Sequence, residues 1–128
     1  IRDVVQNHLL QVLTLCAMEP PVAPDSSHLQ DEKAKVLAAM RPVDPHQVVR
    51  GQYVGYRDEN GAAKDSTIET FAAMRLEIDS WRWAGVPWYI RAGKGLAAAA
   101  TEVIVEFKEP PAMLFDEAGG PPPTRNLV

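Results

Sequence analysis

The chain has 128 residues, 46% hydrophobic and 23% charged, with 13 Lys+Arg against 17 Asp+Glu for a net charge of −4. That is enough apolar material for one packed domain and too much for a chain disordered throughout. The acidic balance lacks the clustered cations that release counterions from a phosphate backbone, which excludes general nucleic-acid binding and attachment to an anionic membrane surface. The longest apolar stretch, Leu9 to Met18, carries Gln11 and Thr14 and reaches about half of a bilayer span. One cysteine, Cys16, permits no internal disulfide, and the first residues lack the order of a signal peptide, so a reducing cytoplasm is expected.

Ile1 to Met18 places apolar side chains at 1, 4, 5, 9, 10, 12, 13, 15 and 16, with Asp3, Asn7, Gln11 and Thr14 spaced by three or four. This predicts a helix with a narrow polar stripe. No capping residue opens it, which suggests that the chain is a piece of a longer one. Pro20, Pro21 and Pro24 end it, because proline lacks an amide donor and pushes its predecessor toward extended backbone. Ser27 with Gln30 reads as a capping box, and Asp31 and Glu32 suit the positive end of a second helix running to about Met40. Val48 to Val54 predicts a strand, and Tyr56 to Lys64, with Asn60-Gly61, a loop. Phe71 to Ile78 alternates with period two; Val86 to Arg91 and Thr101 to Lys108 predict two more strands, the last with Val103, Val105 and Phe107 on one face. The expected fold is a small α+β unit of two helices and four strands. Glu109 to Arg125, rich in proline and glycine, is expected to be mobile, and Asn126-Leu127-Val128 reads as the opening of an unfinished strand.

Few side chains offer chemistry. His8 projects about 80° from the centre of the polar stripe, at the polar–apolar border, where an imidazole serves as a general base or simply as a hydrogen-bonded edge residue. Asp3 could orient such a base or bind a hydroxyl, but in an α-helix i to i+5 is a turn of about 140°, so direct pairing with His8 is not expected. His28 and His46 share no metal-ligand spacing with His8, and zinc has no support. Lys94 sits in Arg91-Ala92-Gly93-Lys94-Gly95, just past a strand, where glycines let backbone approach a ligand and the ammonium can neutralise an anion; a solvated loop lysine is the plainer reading. No Walker loop and no GxGxxG occurs. Trp81, Trp83 and Trp88 are expected in the core, and Cys16 as an inert small hydrophobe.

Ile1-Arg2-Asp3-Val4-Val5-Gln6-Asn7-His8-Leu9-Leu10-Gln11 resembles the signature helix of the glucose-6-phosphate dehydrogenase family. Asp31 to Leu37, Gly51 to Gly55, Thr70 to Ala73, Trp83 to Pro87 and Ile90 to Lys94 resemble further blocks of that family, in its order. The resemblance implies that residues 1–108 are part of the family's carboxy-terminal domain, a mostly antiparallel sheet backed by helices, with 109–128 a Pro/Gly-rich tail and the Rossmann NADP-binding domain absent. It implies that His8 takes the proton from the C1 hydroxyl of glucose 6-phosphate while hydride passes to NADP, giving the lactone. Asp3 would bind a sugar hydroxyl, Lys94 would lie near the substrate, and Arg91 would match a position that contacts a structural NADP in some members; no metal is implied. The chain by itself would lack turnover, and the intact parent would be a homo-oligomer. One departure stands out: Leu96-Ala97-Ala98-Ala99-Ala100 follows where members carry further basic or proline-containing sequence, so a phosphate or second-nucleotide contact expected near Ala99 and Ala100 would be lost. The rival reading is a non-catalytic assembly domain, since the family's sheet also makes its dimer contacts.

Overall fold

The apolar stripe at the start of the chain winds in two ways: Arg2–Leu9 is a π-helix and Leu10–Ala17 an α-helix, α1. The computed structural model describes residues 2–108. The single α-helix expected from the spacing is thus corrected over its first half, where i→i+5 hydrogen bonds widen each turn. The two parts are continuous, for Leu9 keeps helical backbone angles (φ −63°, ψ −44°). α1 stops at Met18, whose N–H donates to the Thr14 carbonyl at 2.9 Å before the prolines turn the chain away.

Helix α2 spans Ser26–Ala39, and its cap is Asp25 rather than Ser27. Asp25 Oδ1 accepts from the Ser27 and His28 amides (3.0 and 3.1 Å) and from the Ser27 hydroxyl (2.6 Å), while His28 Nδ1 lies 2.6 Å from Oδ2. A carboxylate gathers several donors where a hydroxyl takes one or two, so the capping box gives way to an aspartate upstream. The Ser27 hydroxyl and the His28 amide lead in holding the Asp25 carboxyl below its ordinary 3.8, at about 2.

Val48–Gly51 (β1), Phe71–Leu76 (β2) and Trp88–Gly93 (β3) form one antiparallel sheet in the order β1-β2-β3. β1 is shorter than expected because the chain leaves the sheet toward Gly55, which takes left-handed backbone (φ 92°). β3 starts after Pro87, which has no donor for a ladder, and runs on to Gly93. β2 ends at Leu76, and Ile78 makes a single bridge to Met40, flanked by Arg41 N–H to the Glu77 carbonyl and Asp79 N–H to the Ala39 carbonyl (2.9 and 2.8 Å).

The fourth expected strand, Thr101 to Lys108, is not present among the described residues. From Ala97 on, the described residues belong to a separate unit. Its described part, 97–108, contains one bridge residue, Glu106, and leaves Val103, Ile104, Val105 and Phe107 exposed. Alternation gives a segment two faces but supplies no neighbouring strand to bond with. The tail expected over 109–125 and the strand opening at 126–128 lie outside the described residues.

Register sets one face of the sheet against the helices: Met74 stands opposite Val48 and Ile90, and Leu76 opposite Trp88. That face meets Leu13 and Ala17 of α1 and Val36 of α2, with Leu76 and Ile78 each only 2% exposed. Trp83 stacks edge-to-face on Trp88 at 4.8 Å, and its Nε1–H donates to the Ala17 carbonyl at 2.8 Å. Arg82 grips Glu19 through two hydrogen bonds (2.7 and 2.6 Å), and Lys33 of α2 donates to Gln11 of α1. Trp81, by contrast, is fully exposed, so the expected core role holds for two tryptophans of three. Among the described residues no helix is long and apolar enough to cross a membrane.

Two stability predictions follow from these contacts. Ile78→Ala should destabilise the protein by about 2–5 kcal/mol in chemical denaturation, the usual cost of a truncated, fully buried aliphatic residue; a loss below about 1 kcal/mol would mean that the core is not closed at this bridge. Because the folded-state pKa of Asp25 is depressed to about 2, its contribution is present above about pH 4 and is lost as pH falls toward 2. Asp25→Ala should therefore lower the Tm at pH 6 and remove part of the fall in Tm between pH 4 and pH 2; an unchanged acid profile would refute the cap.

Candidate active site

The π-helical winding changes what the spacing of Asp3 and His8 means. In an α-helix these positions diverge, but rings closed by i→i+5 bonds bring residue i+5 back over residue i. Asp3 Oδ1 consequently lies 3.9 Å from His8 Nε2, and the expectation that the two would not pair is overturned. The gap is too long for a hydrogen bond. Asn7 Nδ2, 3.5 Å from the same Asp3 oxygen, borders the pair. Both side chains face solvent, Asp3 at 84% and His8 at 70% exposure, so a ligand can reach them.

Lys94 follows directly on β3. Its N–H donates to the Thr70 carbonyl (2.8 Å), while the Thr70 N–H donates to the Gly51 carbonyl and Thr70 Oγ1 accepts from the Tyr53 N–H, each at 2.9 Å. Thr70 thereby ties together the end of β1, the start of β2 and the end of β3. The glycines on either side of Lys94 are dictated by close approach: a Cβ on Gly93 would stand 2.7 Å from Phe71 Cδ2, and one on Gly95, at φ 68°, would stand 3.0 Å from Tyr53 Cγ. The Lys94 side chain is exposed. Arg91 lies on β3 beside Ala73, on the sheet face away from the core, which also carries the exposed Val49 and Tyr89.

β3 runs beside the π-helical segment. The four residues singled out from the sequence thus lie in two places: Asp3 and His8 on the π-helical turn, and Arg91 and Lys94 on and just past β3, with Arg91 on the sheet face opposite the helices. His28 is occupied with Asp25, and His46 sits in the 3-10 turn Pro45–Gln47. Among the described residues no three His, Cys, Asp or Glu side chains converge as metal ligands. Cys16 is exposed rather than packed inside. Sequence reading missed Tyr53 and Thr70; the glycines around Lys94 signalled a close approach but not the residues that approach. Burial, followed by its hydrogen bond to Glu59, pushes the Tyr53 hydroxyl pKa up, so it stays a donor.

These residues do not amount to a dinucleotide cradle. The loop at 93–95 follows a strand and leads into no helix among the described residues, so no helix N-terminal amides converge there on a pyrophosphate.

A family model described as the C-terminal domain of glucose-6-phosphate dehydrogenase matches residues 1–128. The chain is similar to glucose-6-phosphate 1-dehydrogenase 1 of Mycobacterium tuberculosis, with 56% identity over 115 residues, 90% of this chain and 25% of that protein. Among solved structures, glucose-6-phosphate 1-dehydrogenase from Mycobacterium avium shares 63% identity at a TM-score of 0.70, over 72% of this chain and 21% of that one. A glucose-6-phosphate dehydrogenase in complex with its substrate glucose-6-phosphate shares 44% identity at a TM-score of 0.80, over 90% of this chain and 25% of that one. The chain spans about a quarter of the length of the curated relatives it matches. With its whole length matched and its α+β fold shared with these structures, the chain belongs to the glucose-6-phosphate dehydrogenase family, as part of the C-terminal domain.

Proposed function

We propose that this chain supplies the proton acceptor and part of the sugar-phosphate site of a cytoplasmic glucose-6-phosphate dehydrogenase, which oxidises glucose 6-phosphate to the lactone with NADP as hydride acceptor. The observation that carries this reading is the Asp3–His8 pair, 3.9 Å apart and open to solvent, in a segment lying beside β3, the strand that Lys94 follows. Residues 1–108 are read as part of the C-terminal domain, and NADP is assigned to a Rossmann domain elsewhere in the enzyme, with Arg91 at most a secondary nucleotide contact.

His8 Nε2 accepts the proton of the C1 hydroxyl, which an imidazole does near neutral pH with little mismatch. The Asp3 carboxylate offsets the positive charge that then appears on the ring and accepts from a neighbouring sugar hydroxyl. Lys94 brings an ammonium to the anionic substrate from a backbone pinned by Thr70.

An assembly role is the second reading, favoured by the outer face of the sheet, where Val49 and Tyr89 are 63% and 75% exposed. In the intact enzyme that face is suited to homo-oligomer contact.

Steady-state kinetics on the intact enzyme separate the two. His8→Asn should lower kcat by about 10²–10⁴, the usual contribution of a positioned general base, and leave the KM values nearly unchanged. Normal turnover together with dissociation of the oligomer would instead make His8 structural. Lys94→Ala should raise the KM for glucose 6-phosphate by about tenfold to a hundredfold, the loss of a charged hydrogen bond of about 1.5–3 kcal/mol, with little change for NADP. An unaltered sugar-phosphate KM would return Lys94 to the role of a solvated loop residue.

A further inference from the structure

The segment that leaves β1 returns to touch the loop that carries Lys94. Tyr53 Cγ, Cβ and Cδ1 stand 3.0, 3.1 and 3.3 Å from the point a Cβ on Gly95 would occupy, so the Tyr53 side chain lies directly against the Gly95 backbone. Tyr53 is itself held at three points. Its N–H donates to Thr70 Oγ1 (2.9 Å), its hydroxyl donates to Glu59 Oε1 (3.1 Å), and its ring packs edge-to-face on Tyr56 at 5.6 Å. The Lys94 N–H ends on the carbonyl of the same Thr70. Lys94 is thus fixed on one side by Thr70 and on the other by the Tyr53 ring over Gly95, while Phe71 packs against Gly93.

We propose that Tyr53 is a positioning residue for Lys94, its ring setting where the ammonium meets the phosphorylated sugar. This rests on Lys94 being a substrate contact. Glycine has the widest backbone freedom of any residue, and a lysine between two glycines spreads its ammonium over many positions unless packing restricts them. Removing the ring frees Gly95 and reduces the fraction of enzyme with Lys94 in place. Binding then weakens without change to the proton acceptor, which stands on another element.

The test is steady-state kinetics of the intact enzyme with glucose 6-phosphate and NADP, for Tyr53→Ala, Tyr53→Phe, Lys94→Ala and the Tyr53→Ala/Lys94→Ala double variant. Tyr53→Ala should raise the KM for glucose 6-phosphate about five- to tenfold, with kcat within about twofold and the KM for NADP unchanged. Tyr53→Phe, which keeps the ring and gives up only the Glu59 hydrogen bond, should restore the parent KM. In the double variant the Tyr53 change should add nothing to Lys94→Ala, because it acts through that residue. Equal losses in kcat and kcat/KM, or full additivity with Lys94→Ala, would overturn the proposal. Should Tyr53→Ala fail to fold, Tyr53→Leu takes its place, and a parent-like sugar-phosphate KM in that variant overturns the proposal equally. If Lys94→Ala leaves the KM unchanged, the substrate role of Lys94 falls and the positioning role with it. If Lys94→Ala raises the KM and Tyr53→Ala does not, only the positioning role fails.

Discussion

The end of α1 is fixed by one buried-edge hydrogen bond, from the Trp83 indole N–H to the Ala17 carbonyl at 2.8 Å. Ala17 belongs to the last turn of α1, where carbonyls have no partner within the helix, so the indole satisfies a group that would otherwise be left without one. The same tryptophan packs edge-to-face on Trp88, the first residue of β3. One side chain therefore links the helix that continues from the Asp3–His8 turn to the strand that Lys94 follows. The Arg82–Glu19 fork lies over this junction, but with both partners more than half exposed it adds specificity of docking rather than much stability.

Elements buried on one face were readable from the sequence, and their limits were not. The apolar spacing that includes Leu13 and the alternation over Phe71 to Ile78, with Met74, Leu76 and Ile78 on one face, mark faces that meet in the core, because burial demands the pattern. Cap and ends follow local donors and acceptors instead. Asp25 displaced Ser27 as the cap because charge gathers amides better than a hydroxyl, and Pro87 delayed β3 for want of an N–H. Thr101 to Lys108 shows the weakness of alternation alone: the pattern is clear, yet among the described residues those positions form no ladder and stay exposed.

The site was legible as residues and illegible as geometry. Asp3, His8 and Lys94 could be chosen from a family resemblance and from glycine flanks, but their mutual placement depended on an assumption of 3.6 residues per turn. A π-helix carries no reliable signature in hydrophobic spacing, since Val4, Val5 and Leu9 suit either winding. The residues that hold Lys94 were hidden for a different reason. Thr70 and Tyr53 reach it through a backbone carbonyl and a ring face, contacts made by sheet register and loop return rather than by any local motif.

The two halves of the site are built with opposite degrees of restraint, and the difference bears on what each can do. Asp3 and His8 stand on a helical turn, with side chains in water and no hydrogen bond between them, so their mutual influence is damped by the solvent. Lys94 stands on backbone pinned by Thr70 and flanked by two packed glycines, and the entropy of its main chain is spent in folding rather than on binding. A pinned cation selects a ligand by where its anionic group must lie. On the proposed function, a ligand seated beside Asp3 and His8 would displace water from between them and strengthen their interaction.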